Sequence, residues 1–273
     1  MRKLLKTACL IVLGAALGAC TKSFSAYALT STGTLIQFDT SKPATIVGQV
    51  TLSGLASGQT LVQMDYRPAD GTLYGITSDD KLATVDPTTG AVTLVDSTPF
   101  TTSTLASPAI AWDPHSDELR VITTQYNLRV NPDGTLNTTA TQTGFAGGDA
   151  NSSKTPQLVA IAYSNHVANA ASTTLYGLDL TTQSLVQMGD ANAGSTASVD
   201  SGTVHTIGAT GVSFSANAGF NIEIAHGTAY AVLQQSGSSA ALYTIDLSTG
   251  AATSVGPIGN GTLTVIALVI VPD

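Results

Sequence analysis

Charge is scarce in this 273-residue chain. Lys, Arg, Asp and Glu make up 10% of it, against roughly 25% in ordinary soluble domains. Long amphipathic helices need more Glu, Lys and Arg than that on their outer faces. A surface made polar by Ser, Thr and Gly instead suits an exported all-β protein. The few charges are mostly acidic, 10 basic against 18 acidic for a net charge of −8, so the chain lacks the basic patch of a nucleic-acid binder. Cysteine is nearly absent, with Cys9 and Cys20 alone. The four histidines, His115, His166, His205 and His226, show no H-x-x-x-H or H-E-x-x-H spacing, which argues against a zinc site of that kind. There is no P-loop, no G-x-G-x-x-G after a strand, and no G-x-S-x-G in a strand–elbow–helix context.

What is present begins with an address. "MRKLLK" places Arg2, Lys3 and Lys6 before the apolar run "TACLIVLGAALGAC", the layout of a secretory signal. The run is shorter than the ~20 apolar residues needed to span a bilayer. It ends in Leu17-Gly18-Ala19-Cys20, which resembles the bacterial lipobox, in which the peptidase cuts before an acylated cysteine. We therefore expect a lipoprotein signal peptide over 1–19, a lipid-anchored linker over 20–24, and lipidation of Cys20. The single remaining cysteine then permits no disulfide within the mature chain. Loss of 1–19 leaves seven basic residues against 18 acidic, a net charge of −11. Such a chain is repelled by anionic lipid surfaces, so the lipid itself must be the membrane anchor. Thr21 rather than Asp follows the cysteine, which by resemblance to diderm lipoproteins directs the protein to the outer membrane.

The rest of the chain repeats. A strand with Tyr recurs as "SAYALT" (25–30), "TLYGIT" (72–77), "TLYGLD" (174–179) and "TAYAVL" (228–233). A strand ending in Asp or Asn follows as "TLIQFD" (34–39), "KLATVD" (81–86), "NLRVN" (127–131) and "LYTID" (242–246). Then comes a turn and a Thr/Val strand, "DPTTGAVTLV" (86–95) and "DLSTGAATSVG" (246–256). Each piece is short, β-branched or aromatic, and bounded by turn residues, which reads as strand. In D-x-x-T-G the Asp carboxylate caps the backbone N–H groups that follow and Gly takes a positive φ, so Asp86 and Asp246 are expected to cap turns. A further strand precedes the Tyr strand: "LVQMDYRP" (61–68), "PAIAWDP" (108–114), "LVAIAYSN" (158–165) and "AGFNIEI" (218–224).

Four strands at this spacing make one blade of a β-propeller. The first unit has no room for a leading strand, and the chain ends in the orphan apolar strand "TLTVIALVIVP" (262–272). The expected fold is thus all-β, a single β-propeller domain over 25–273 with five four-stranded blades. The blades cover 25–57 plus 262–271, 59–98, 105–143, 157–209 and 211–258, with the C-terminal strand innermost in the first. The fourth is the least regular, because "SLVQMGD" (184–190) lacks the Asp turn. The stretches "DYRPADGTLYGIT", "NLRVNPDGTL", "GGDAN" and "AIAYSNHVANAASTTLYGLD" together resemble a bacterial exported family catalogued as a domain of unknown function (number 4394 in that series), over about 25–272. The resemblance implies a propeller-like fold and carries over no activity.

Polar residues on the innermost strands are the candidate site. Aligning those strands puts Asp65, Ala111, Ala162, Asn221 and Ala267 in one column and Arg67, Asp113, Ser164, Glu223 and Val269 in another. A buried charge needs a partner, and the mature chain has only three arginines, Arg67, Arg120 and Arg129. The ligand-binding candidates are Asp65, Arg67, Asp113, Arg120, Asn221 and Glu223, read either as a pocket near the channel or as an inter-blade ion-pair network. "GDAN" at 148–151 and 189–192 echoes the start of a calcium loop but lacks its later bidentate acid. No catalytic residue, metal site or cofactor is assigned, calcium being the one cofactor in view. The first functional expectation is a monomeric, non-enzymatic envelope lipoprotein binding a protein or glycan partner. Its alternative is a hydrolase or lyase of lactonase type, using Asp65, Asp113, Asn221 and Glu223, with or without calcium. A purely structural part of a surface assembly is the third.

Overall fold

The computed structural model describes residues 23–189, 196–235 and 237–272; the signal segment, Cys20, and Asp190 and Asn192 of the second "GDAN" lie outside them. Among the described residues, twenty-one strands form five sheets. Blade I holds β1 (Ser25–Thr30), β2 (Thr34–Asp39) and β3 (Ile46–Thr51). Blade II is β4 (Leu61–Tyr66), β5 (Leu73–Thr77), β6 (Leu82–Val85) and β7 (Val92–Leu94). Blade III is β8 (Ala109–Asp113), β9 (Glu118–Ile122), β10 (Asn127–Val130) and β11 (Leu136–Thr139). A two-residue strand β12 (Gly144–Phe145) leads to blade IV: β13 (Leu158–Tyr163), β14 (Leu175–Asp179), β15 (Ser184–Met188) and, after the short helix α1 (Thr196–Asp200), β16 (Thr203–Ala209). Blade V is β17 (Gly219–Ile222), β18 (Ala229–Leu233), β19 (Ala241–Ile245) and β20 (Ala252–Pro257). The last strand, β21 (Val265–Ile270), returns to pair antiparallel with β1 as the innermost strand of blade I.

The molecule is the five-bladed propeller expected, closed by its C-terminal strand. Innermost strands β21, β4, β8, β13 and β17 touch one another in ring order. The core is divided into five apolar clusters, one at each blade–blade interface. Alternation along each strand produces this. Ala26 and Ala28 of β1 pack toward blade V while Leu29 packs toward blade II, because successive side chains of a strand point to opposite faces. The Tyr strand is second in its blade. Its Tyr27, Tyr74, Tyr176 and Tyr230 share one column, and in blade III that column holds Arg120.

Two details differ from the sequence expectation. Val269, not Ala267, lies opposite Tyr27, so β21 sits two residues along from its expected register and Val269 joins the column of Asp65, Ala111, Ala162 and Asn221. Blade IV carries a fifth strand, β12, which pairs parallel with β16 and covers its outer edge, one way of protecting an exposed sheet edge. The capping Asp residues act as expected. Asp86 Oδ1 accepts the N–H groups of Thr88 (2.8 Å) and Thr89 (3.3 Å), and Asp246 Oδ1 accepts Ser248 N–H (2.8 Å). The hydroxyls of Thr89 (2.8 Å to Asp86 Oδ2) and Ser248 (2.6 Å to Asp246 Oδ1), with these amides, hold both carboxyls below the usual aspartate range.

Candidate functional site

An innermost strand has a neighbour on one side only. Its inner edge presents N–H and C=O groups to the channel, and buried backbone groups must find partners. At the end of the channel where the inner strands finish, side chains supply them. Asp65 Oδ2 accepts Trp112 N–H of blade III at 2.8 Å. Asp65 Oδ1 accepts Asn221 Nδ2 of blade V at 3.3 Å, and Asn221 Oδ1 accepts Ile270 N–H of blade I at 3.3 Å. Blades II and V are not neighbours, so the Asp65–Asn221 bond crosses the axis. Blade IV contributes His166, whose Nε2 lies 3.2 Å from Trp112 O and 3.5 Å from Asp65 Oδ2. All five blades thus meet in one buried polar hub. Burial raises the Asp65 pKa, against the lowering influence of His166, the Trp112 and Tyr66 N–H groups and Asn221.

Of the six candidate ligand residues, the structure brings Asp65 and Asn221 into direct contact and gives the other four separate partners. Asp113 Oδ1 accepts His115 N–H at 2.9 Å and Glu223 Oε1 accepts His226 N–H at 2.9 Å and Thr228 N–H at 3.0 Å. Both carboxylates therefore brace the turn from the inner strand to the second strand. Arg67 reaches sideways to Asp70 (2.7 Å) and to Asp117 of blade III, with its guanidinium over the Trp112 ring. Arg120 lies on β9, a strand removed from the channel, where Nη1 donates to Asp200 Oδ1 (2.7 Å) and Asn127 Oδ1 (2.9 Å). Asp149 of the first "GDAN" accepts Thr206 N–H (2.7 Å) and Asn151 N–H (2.8 Å), tying its loop to β16.

Sequence reasoning missed His166. Its signal was loop length: "SNHVANAASTT" (164–174) is far longer than "RPADGT", "DPHSDE" and "EIAHGT" at the same place in blades II, III and V. The extra residues carry an imidazole to the axis.

The opposite end of the channel, where the inner strands begin, is open. A cavity of about 280 Å³ lies there, with walls from Ile266 of blade I, Gln63 of II, Ser107 and Pro108 before III, Val159 of IV and Asn217 before V. Asp80, in the β5–β6 turn, is also in its wall and is 4% exposed. A second cavity of about 500 Å³ shares Ala216 and Asn217 with it and is lined mainly by Ser, Thr, Asn, Gln and Gly. At the plugged end the corresponding space is about 20 Å³. Phe24, where the described chain enters, lines that plugged end. Among the described residues no cluster of three or more His, Cys, Asp or Glu side chains is placed to hold a metal.

Fold and site together define a five-bladed propeller, sealed by a polar hub at one mouth and open at the other. The chain belongs to the family described as Domain of unknown function (DUF4394), whose model matches residues 34–268. No curated protein matches it. Its fold is similar to that of a protein of unknown function from Bacteroides caccae, with 12% identity, 92% of this chain and 100% of that chain covered, and a TM-score of 0.50. Two candidate 6-phosphogluconolactonases are also similar. For the one from Bacteroides uniformis the identity is 13%, the coverage 88% and 83%, and the TM-score 0.44. For the one from Bacteroides fragilis these are 10%, 93% and 99%, and 0.45. Likeness at such identity concerns the fold alone.

Proposed function

We propose that this protein is an exported, lipid-anchored envelope propeller that binds a ligand or partner at its open channel mouth and performs no catalysis. One observation carries the reading: all five blades contribute to the wall of the open cavity, while the inner-strand carboxylates are engaged in the hub and in turn caps. A lactonase-type site would need those carboxylates free to approach a substrate within hydrogen-bond reach.

The anchor fits this orientation. Three residues, Thr21, Lys22 and Ser23, separate Cys20 from Phe24, four steps of chain and a reach of about 14 Å at full extension. The chain enters at the plugged end, so a lipid on Cys20 would face that end toward the membrane and the open mouth away from it. Two acyl chains or more, at roughly 0.8 kcal/mol per buried CH₂, suffice for stable anchoring. Cys20→Ser is expected to move the protein from the membrane fraction to the soluble fraction and to remove the acyl mass from its N-terminal peptide.

The binding reading is tested by thermal unfolding of the full chain in neutral detergent against sugars, lactones and peptidoglycan fragments. A ligand at 100 times its Kd stabilises by about 2.7 kcal/mol. Ala216→Trp, an exposed residue at the rim, should erase that shift. Turnover of any lactone that Glu223→Gln or Asp80→Asn abolishes would overturn the non-catalytic reading.

A further inference from the structure

The wall of the open cavity holds a buried carboxylate with no cationic partner among the described residues. Asp80 is 4% exposed, and its Oδ2 accepts Leu105 N–H at 3.1 Å. No cation pairs with it among the described residues, since neighbouring Lys81 is bound to Asp79 at 2.8 Å. Gln63 donates its Nε2 to Ile266 O at 2.9 Å, which leaves Oε1 as a second acceptor at the cavity. The described lining contains no Lys, Arg or His. Apart from the Asn217 amide, the remaining wall is apolar or carries hydroxyls, as with Val159, Ile266 and Ser107.

Backbone conformation adds an independent observation. Asp80 has φ +61° and Ser107 has φ +46°. Asp tolerates the left-handed region comparatively well, but Ser107 precedes Pro108, and a residue before proline is pushed toward extended backbone. Strained positions of this kind collect at ligand sites. Both residues line the same cavity.

We propose that the open channel mouth binds a small ligand bearing a primary ammonium group, with Asp80 as its counter-ion and Gln63 accepting a further hydrogen bond. This rests on the reading of that mouth as the binding face. A buried carboxylate without a cationic partner is costly, and an ammonium brings three donors to the Asp80 and Gln63 acceptors. The volume of about 280 Å³ equals about nine waters at roughly 30 Å³ each, room for an amino sugar or a short diamine but not a folded partner. The net negative charge of the chain draws such cations in. Apolar wall residues meet the carbon skeleton.

The test is calorimetric titration of the full-length protein in neutral detergent with glucosamine, putrescine and glucose. At least one amine probe should bind, and glucose should bind about 10-fold more weakly or worse. Asp80→Asn should weaken the amine by about 10-fold or more. Asn also accepts a left-handed φ, so this variant should keep the wild-type melting profile. Ala216→Trp closes the mouth by a second route and should abolish binding. Glucosamine and putrescine together separate the amino-sugar source from the linear amine. Amine binding unchanged in Asp80→Asn, glucose binding as tightly as glucosamine, or no binding of either amine would overturn the ammonium proposal. If neutral ligands still bind and Ala216→Trp blocks them, the binding face survives that result. If Ala216→Trp blocks nothing, the binding face falls too.

Discussion

Asp65 shows why a carboxylate belongs on the axis of a propeller. It accepts an inner-edge amide of the next blade and reaches Asn221 across the channel. Hydrogen bonds to a charged group contribute about 1.5–3 kcal/mol, and a buried amide left bare costs about 1–3. Asp65→Ala should therefore destabilise by about 2–4 kcal/mol. Its titration gives a sharper prediction. Burial places the folded-state pKa above the ordinary value of 3.8. Such an acid favours the fold most when protonated, so its contribution is complete below the unfolded pKa and is lost as pH rises through the raised folded value. In urea melts the stability of Asp65→Asn relative to wild type should climb as pH rises above the unfolded value; a constant or falling difference would refute the assignment. The sequence showed Asp65 and Asn221 as polar residues on inner strands. It did not show that they meet, because 156 positions and two intervening interfaces separate them. Asp80 was readable only by laying one turn over another. "TSTGT" (30–34) and "TSDDK" (77–81) align Asp80 with Gly33, and both have a positive φ.

At the scale of the strand, blade spacing was plain because turn chemistry and period-2 alternation recur together. The register of β21 was not. "VIALVIV" (265–271) is apolar throughout, and sliding it by two residues keeps every side chain on its original face. Only pairing with β1, which sets Tyr27 opposite Val269, resolves the choice. Close approach between inner strands fixes that arrangement from the other side. A Cβ on Gly219 would stand 2.5 Å from Leu268 N, where no flexible side chain can give way. Gly219→Val should cost roughly 3 kcal/mol, the upper part of the overpacking range, read as a lower urea midpoint with unchanged m-value. Between blades, Arg120 plays the corresponding role for charge. It is 1% exposed and bonded to Asp200 of the α1 segment. Its removal leaves a carboxylate whose side chain is 23% exposed and keeps Arg129 Nη2 at 3.5 Å, so Arg120→Ala should cost about 3 kcal/mol or less, at or below the low end of the range for breaking buried pairs. The short helix that carries Asp200 had no signal in the sequence, since five residues are too few to show a helical period.

The whole ring depends on a strand that arrives last. Without β21, blade I lacks its inner strand, and β4 and β17 lose the neighbour they pack against. Five interface clusters become three complete ones, because the I–II and I–V clusters both draw on β21 residues such as Ala267 and Leu268. A chain truncated after Thr264 should thus fail to give a cooperative melt and should expose apolar surface to a hydrophobic dye. Truncation alone does not separate the loss of a strand from the loss of the closure that it makes. A circular permutant does. Val271 N–H donates to Ser25 O at 2.8 Å, so a short Gly/Ser linker can join residue 272 to residue 23, with new termini between Ser57 and Gly58 in the exposed loop between blades I and II. Every blade is then continuous in sequence, and all five interfaces are kept. What is lost is the covalent stitch that made both ends of the chain share one sheet. Closing a long loop is an entropic cost that rises only slowly with length, so the permutant should fold to a cooperative ring with a lower melting temperature than wild type. If it folds and the truncated chain does not, β21 acts through its packing and the stitch adds stability on top. If the permutant fails although every strand is present, closure through the shared sheet is itself a condition for folding.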